Sequence, residues 1–251
     1  MGARWLAPLI ALVAGALVMQ APRAQSPTGN PPVANSGPAA NTPRPNDIEL
    51  VEKLLVARRD YQKILETLRL HYIQAGDIER AKWAEEELRQ YHRISKPAYR
   101  LELDVPPPTL AGLTNVPEAN KMFTRAMEYK DKGWNTEYID NQHRAELLLQ
   151  ELLTKYPQCN KIDEAAYMLG DIYESKAFKQ PRRAAQYFER CFQWNPRTQR
   201  DARTRAARIY DRDLQERTKA IDLYREVTTH ETDQRRIQEA QRRLTELSGT
   251  R

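Results

Sequence analysis

Matching residues recur along the second half of the chain at a nearly constant separation. Ala145 and Ala184 are 39 residues apart, and so are Pro157 and Pro196. From Ala184 to Ala220 the step is 36 residues. Two independent landmarks that agree on one displacement predict a tandem structural repeat, in which each unit buries its apolar face against its neighbours.

The clearest unit, 163–196, predicts two short antiparallel helices followed by a proline stop. Its packing positions are mostly small or aromatic: Leu169, Gly170, Tyr173, Ala184, Phe188 and Cys191. A small residue at Gly170 or Ala184 lets two helices approach closely. Tyr173 and Phe188 then fill the space beside that contact.

This order of small, aromatic and proline positions resembles the tetratricopeptide repeat, a helix-turn-helix unit of about 34 residues that stacks into a solenoid. The resemblance covers roughly the last half of the chain, and it assigns 118–247 to an array that ends in a capping helix at 233–247. The expected fold class is therefore all-α, a tetratricopeptide-like solenoid of helical hairpins. The extra residues of the long steps belong in turns, such as 132–140 of the first unit, because insertion there costs little.

The N-terminal residues predict export. Arg4 precedes an uncharged apolar run at 5–19 that is shorter than the roughly 20 residues a membrane-spanning helix needs, so 1–24 is interpreted as a signal peptide. Neither candidate cleavage site has a small residue three positions back, which leaves an uncleaved anchor, and hence a membrane tether, as the alternative. The proline-rich segment 25–46 predicts a disordered linker, or alternatively a ligand for a proline-binding domain.

Residues 47–95 predict a helical hairpin. Apolar residues recur at alternating spacings of four and three along its first helix: Leu50, Leu54, Ala57, Tyr61, Ile64 and Leu68. Asp47 is the predicted N-cap, Gly76 the C-cap, and Asp77 opens the second helix. The hairpin is either a degenerate tetratricopeptide unit or a plain coiled-coil hairpin.

Prolines break the helical pattern at 96–117, which predicts an extended connector between the hairpin and the array. Within it, Tyr99 to Val105 is the only run in the chain that favours a β-strand. The chain has 40 Lys and Arg against 34 Asp and Glu. This mild basic excess selects no partner and fits a solvated helical surface.

Catalytic and cofactor motifs are absent from the sequence: it contains no phosphate-binding glycine loop, no nucleophile elbow and no HExxH zinc motif. The four histidines are interpreted as surface or helix-flank residues rather than metal ligands. No enzyme activity, cofactor or metal site is predicted. Cys191 is expected to be a free buried thiol, with a disulfide to Cys159 as the alternative. Acidic residues interrupt the arginine-rich pieces 197–212 and 235–243, which disfavours a nucleic-acid surface.

The resemblance also implies a binding surface. Tetratricopeptide arrays generally bind peptides or protein segments on a concave side that is lined by the first helix of each unit. The matching positions in this chain are Asn120, Phe123, Met127 and Lys130, then Glu164, Tyr167, Asp171 and Glu174, then Thr204, Arg208 and Asp211. Such a groove passes from apolar through acidic to mixed charge, which suits an extended segment with a basic centre.

An exported chain with long units and an N-terminal helical segment is similar to bacterial envelope factors of the BamD-like and Tol-associated coordinator type. That resemblance implies a non-enzymatic scaffold in the periplasm or cell envelope. The alternative is an accessory subunit of an envelope enzyme or of an outer-membrane assembly complex. No cysteine directly follows the apolar run, so the chain departs from the lipid-anchored pattern of the BamD-like proteins.

Overall fold

The structure, a computed structural model, describes residues 46–249 and forms ten helices within them. They are α1 (Asp47–Gln74), α2 (Ile78–Arg93), α3 (Leu101–Asp104), α4 (Pro117–Lys130), α5 (Asn135–Lys155), α6 (Ile162–Glu174), α7 (Pro181–Trp194), α8 (Ala202–Arg212), α9 (Arg217–His230) and α10 (Gln234–Gly249). The described residues contain no strand, only an isolated bridge between Thr114 and Cys159. The all-α prediction is confirmed. The predicted signal peptide or anchor and the linker, apart from residue 46, lie outside the described residues.

Successive helices pack as antiparallel pairs. The pairs are α1 with α2, α4 with α5, α6 with α7, and α8 with α9, and α10 packs on α9. Neighbouring pairs join through α5 and α6 and through α7 and α8. This arrangement is consistent with a helical repeat. Within residues 46–249, no helix combines the length and the apolar character that are needed to cross a bilayer.

Close packing of α6 on α7 occurs where the sequence predicted it. A Cβ atom added at Gly170 would lie 2.7 Å from the ring of Phe188, so only glycine fits this contact without movement. Phe188, Tyr173 and Ala184 are completely buried around it. The Tyr173 ring stacks on Tyr187 with their centroids 5.4 Å apart, which extends the aromatic core from α6 to α7.

The first hairpin is formed as predicted in its turn but not at its start. Gly76 has φ +75 and Asp77 caps α2 by accepting from the Arg80 amide at 3.0 Å, as the sequence indicated. The N-cap of α1 is Asn46, whose side chain accepts from Ile48 N, so the assignment to Asp47 was wrong by one residue. Asn and Asp serve equally well as caps, so the sequence alone did not choose between them.

The apolar stripe of α1 faces solvent along much of its length. Leu50 is 51% exposed and Ile64 65%, whereas Gln62 and Leu65 form the buried face of this helix. Helices α2 and α5 pack on the side of α1 that carries Gln62 and Leu65, next to the apolar stripe. The 4–3 spacing therefore predicted the helix correctly but does not mark the face that it buries here.

The connector is not extended throughout, because α3 forms inside the run that favoured a strand. The connector lies along α7: Tyr187 Oη donates to the Asp104 carbonyl at 2.9 Å, and Trp194 Nε1 donates to the Pro107 carbonyl at 3.0 Å. Val105 is buried. These donors on α7 satisfy carbonyls that a proline-rich segment cannot pair with itself.

The N-terminal part of α5 differs from two predictions. The helix begins at Asn135, so the turn expected at 132–140 is much shorter. His92 and His143 are buried in the contact between α2 and α5, where their rings stack with centroids 4.6 Å apart. The interpretation of the histidines as surface or flank residues was therefore wrong for these two. Cys159 and Cys191 are buried free thiols.

Candidate functional site

The first helices of the array lie side by side and form one face, made by α4, α6, α8 and α10, which we call the first-helix face. Lys130 on α4 reaches Asp171 on α6, with Nζ 2.5 Å from Oδ2. Arg205 on α8 approaches the other oxygen of the same carboxylate at 2.7 Å. Arg243 on α10 pairs with Asp211 on α8 at 2.6 Å. Ion pairs thus link every helix of this face to the next one.

Tyr167 occupies the centre of the face. Its hydroxyl donates to Asp201 Oδ1 at 2.6 Å. The guanidinium groups of Arg200 and Arg205 lie over its ring, at 4.8 Å and 5.5 Å from the centroid. Contacts of a cation with the face of an aromatic ring are attractive, and more so when they are partly desolvated. The half-buried ring therefore contacts two arginines, and both of them belong to the next unit.

The acidic residues at the centre are ionised and already paired. Burial opposes the ionisation of Asp171, but its pairs with Lys130 and Arg205 outweigh burial and hold its pKa below the usual value. Burial opposes the ionisation of Glu164 in the same way, and Lys161 and Arg200 lower its pKa overall. The face is consequently a mosaic of paired charges rather than an acidic patch.

The charge pairing continues to the C-terminal end of the face. Arg208 on α8 donates from Nε to Glu239 Oε1 on α10 at 2.9 Å. Asp211 accepts from Arg243 Nε at 2.8 Å and from the Tyr224 hydroxyl at 3.1 Å. The last helix is therefore part of the same surface as well as the end of the array.

Most of the predicted site residues lie on this face. Seven belong to its charge and hydrogen-bond network: Lys130, Glu164, Tyr167, Asp171, Glu174, Arg208 and Asp211. On α4, Asn120 donates to Asn115 Oδ1 at 2.7 Å, Phe123 lies under the Lys161 ammonium, and Met127 packs against the core. Thr204 is only 1% exposed and therefore offers no surface to a partner.

Sequence reasoning missed several charged partners that complete the network. Arg200 and Arg205 on or before α8, and Glu239 on α10, were not among the predicted residues, although each pairs with one that was. A signal existed, since Glu174 with Arg205 and Arg208 with Glu239 are both opposite charges 31 residues apart. That separation is close to one repeat unit, so opposite charges at this interval mark positions that meet between adjacent units.

Several arginines of the two arginine-rich pieces are committed to carboxylates of the chain itself. Arg200, Arg205 and Arg208 pair with acids on α6 or α10, and Arg236 pairs with Glu231 at 2.9 Å. Arginines that are already paired contribute less positive potential to a polyanion. In these pieces the structure therefore favours contacts within the array over a free basic surface.

Comparisons with family models, with curated proteins and with solved structures found no match for this chain. The family is thus not identified by similarity. The description of the fold depends on the helix pairs themselves, and that of the surface on the charge network of the first-helix face.

Proposed function

We propose that this chain is a non-enzymatic protein-interaction scaffold with a tetratricopeptide-like array, and that its first-helix face binds an extended peptide or protein segment. One observation carries the proposal: four helices from successive units form a continuous face with a half-exposed tyrosine at its centre. Aromatic and arginine side chains are the residue types that dominate binding energy at protein interfaces. Tyr167, Arg200 and Arg205 combine both types in one place.

The paired charges define the kind of segment that fits. A partner that approaches Asp171 or Glu174 must compete with Arg205, and it therefore needs to offer a cation of its own. An acidic group on the same segment can then form a new ion pair with the displaced arginine. The proposed ligand is an extended segment that carries both signs of charge, with a basic residue opposite α6 and an acidic residue opposite α8.

The proposed location is the periplasm or cell envelope, because residues 1–24 carry the pattern of an export signal. In this setting the scaffold would hold one or more envelope proteins together. The N-terminal segment would either be removed after export or keep the array at the membrane.

The experiment is crosslinking in intact cells of the native host with a C-terminal tag, followed by identification of the co-purified proteins. The test variant is Tyr167→Ala with Asp171→Ala, and Glu174→Lys is a second variant that removes no buried group. The matched control is Arg182→Ala, because Arg182 is 59% exposed and pairs with Glu216, away from the first-helix face. Circular dichroism melting of each purified variant verifies that the array still folds.

The expected result is one or more envelope proteins that are recovered with the parent chain and with Arg182→Ala, and lost with both face variants. Equal recovery by all four chains would contradict binding at this face. If a variant without 47–95 loses the same partners, the binding function belongs to the hairpin instead.

A further inference from the structure

A small cavity of about 180 Å³ lies where α1, the connector, α5 and α7 meet. Four basic side chains from three different elements line it: Arg58, Arg59, Lys96 and Arg183. None of the predicted site residues of the first-helix face lines this cavity. Its chemistry therefore needs an explanation of its own.

The two acids that line the cavity already have partners. Asp104 approaches Arg183, with Oδ2 2.7 Å from Nη2. Glu146 accepts from the Tyr173 hydroxyl at 2.6 Å and pairs with His143 Nδ1 at 3.0 Å. Two carboxylates against four basic side chains leave the lining with an excess of positive charge.

The remaining cations contact only uncharged groups. Arg58 donates to the Pro97 carbonyl at 3.4 Å, Arg59 to Thr154 Oγ1 at 3.5 Å, and Lys96 to the Tyr91 carbonyl at 2.8 Å. Among residues 46–249, none of these three cations forms an ion pair with an acid. Three cations without an acidic partner around one cavity leave a positive potential inside it.

Arg183 supplies an independent observation. Its side chain is only 6% exposed, and its Nε is buried without a hydrogen-bond partner. A buried donor with no acceptor costs free energy, so Arg183 has hydrogen-bonding capacity that the chain itself leaves unused. A guanidinium group presents donors in a fork that matches a carboxylate.

Leucines form part of the remaining wall, beside the polar Gln62, Gln150 and Thr154, and the space is limited. Leu55, Leu103, Leu147 and Leu153 line the cavity together with the aromatic ring of Tyr187. Ligand pockets usually have roughly 300 Å³ or more. This one has room for a single carboxylate and one small apolar group.

We propose that this cavity binds a carboxylate that is attached to an apolar group, as at the C-terminus of a protein partner that ends in leucine or a similar residue. The carboxylate lies among Arg58, Lys96 and Arg183, and the apolar side chain packs against the leucines. The site is separate from the first-helix face and does not depend on it.

The protonation of Lys96 gives binding a dependence on pH. Burial and, to a smaller extent, the neighbouring Arg58 lower the pKa of Lys96 to about 8, although Glu146 opposes the shift. The charged and titratable groups around it come from every neighbouring element: Arg58 on α1, Tyr91 on α2, Asp104 in the connector, Glu146 on α5, and Arg183 and Tyr187 on α7. A bound carboxylate stabilises the charged form of Lys96, so affinity should decrease as the pH rises through about 8.

Isothermal titration calorimetry of the full chain tests the site with N-acetyl-leucine and with an N-acetylated alanyl peptide that ends in leucine. The matched controls are the C-terminal amides of both probes, which lack the charge. Lys96→Met and Arg58→Gln should each weaken binding of the acids at least tenfold. Lys63→Met is the control variant, because Lys63 is 53% exposed, pairs with Glu151 and does not line the cavity.

The proposal requires that both acids bind, that the amides do not, and that the peptide acid binds at least as tightly as N-acetyl-leucine. Binding of N-acetyl-leucine alone would overturn the assignment to a protein C-terminus. Equal binding of acids and amides, no binding, or equal effects of Lys96→Met and Lys63→Met would overturn the site. Because Tyr167→Ala with Asp171→Ala leaves this cavity intact, failure of the scaffold proposal is distinguishable from failure of this one.

Discussion

His92 is held neutral by its surroundings. Its Nδ1 lies 2.9 Å from Asp140 Oδ1, while its Nε2 is buried with no partner and its ring stacks on His143. Nδ1 therefore carries the proton and donates, and a second proton at Nε2 would be buried without an acceptor. Burial and the neighbouring His143 lower the pKa of His92 to about 3, although Asp140 opposes the shift.

This arrangement predicts that acidification destabilises the fold. The unfolded chain takes up a proton at His92 near pH 6.5 but the folded chain does not, so the stability from His92 is present above that pH. It decreases as the pH falls towards 3, by about 1.4 kcal/mol per pH unit. Urea unfolding between pH 7 and pH 5 should give a steeper loss for the parent chain than for His92→Phe. The exposed His71→Phe variant is the control, and equal slopes for all three chains would contradict the prediction.

Gly170 is the position at which the addition of one carbon atom should destabilise the fold most. Alanine there places its Cβ 2.7 Å from a completely buried ring, and neither helix can move freely. We expect Gly170→Ala to lower the free energy of unfolding by about 1–3 kcal/mol. Phe188→Leu in the same chain should recover part of that loss, and Gly249→Ala should be neutral because nothing lies within 4 Å of its position. A stability of Gly170→Ala equal to that of the parent would mean that the contact is looser than described.

Gly170 and His92 differ in whether their packing roles could be predicted from the sequence. Gly170 could be predicted because its role depends on the adjacent helix, about 18 positions away, whose small and aromatic positions belong to the same repeat pattern. His92 could not, because its partners Asp140 and His143 are about 50 residues distant. Nothing in the local sequence shows that α2 packs on α5.

At the scale of elements, one arginine joins the first hairpin to the array. Arg144 on α5 donates to Glu66 on α1 at 2.6 Å and to Glu85 on α2 at 2.8 Å. Its side chain is 10% exposed, so the two ion pairs are shielded from water. Nothing in the local sequence indicates this connection, because Arg144 follows Glu66 by 78 residues and Glu85 by 59.

Removal of this arginine should loosen the hairpin. Arg144→Met leaves Glu66 and Glu85 with Arg69 as their remaining cation, at 3.2 Å and 3.3 Å. The cost should therefore stay below the roughly 3 kcal/mol of a buried pair that loses its cation altogether. Amide hydrogen exchange in α1 and α2 should accelerate much more than in α8 and α9. Addition of Glu85→Gln should restore part of the protection, since Glu66 and Arg69 then remain as one balanced pair.

The matched control for Arg144 is the exposed pair between Lys63 and Glu151 on the same two helices. Lys63→Met should change stability by less than about 1 kcal/mol. Uniform exchange in Arg144→Met would show that the hairpin is held by its apolar contacts instead.

Element boundaries followed the sequence where local chemistry determined them. Gly76 and Asp77 set the turn between α1 and α2 because a positive φ and an N-cap are local requirements. The existence of α3 was not predicted, since a hydrogen bond from the distant α7 holds its last residue. The start of α5 was not predicted either, and no side-chain cap marks it. The stripe from Leu50 to Leu68 predicted a helix, but its exposure depends on where α2 and α5 pack.

At the scale of the whole molecule, each unit contacts mainly its neighbours. The order of helix pairs could be predicted from the displacement of 39 residues, because a repeat specifies stacking once its unit is known. The packing of the first hairpin against α5 could not, since it lies outside the recurring pattern. The neutralisation of acids on the first-helix face by the next unit was not predicted from the sequence.

The last prediction concerns the end of the array. Helix α10 buries Ala240 against the core and pairs Glu239 and Arg243 with Arg208 and Asp211 on α8. A chain that stops at residue 231 exposes this contact, so α8 and α9 should lose most of their protection against hydrogen exchange. Helices α1 to α5 should keep theirs, because stability in a stacked array is approximately a sum of units and nearest-neighbour contacts. Glu239→Gln tests the charge without removing the helix: it should weaken protection only slightly, since the side chains of Arg208 and Glu239 are 37% and 23% exposed. Loss of protection throughout the truncated chain would instead show that residues 46–249 unfold as one cooperative unit.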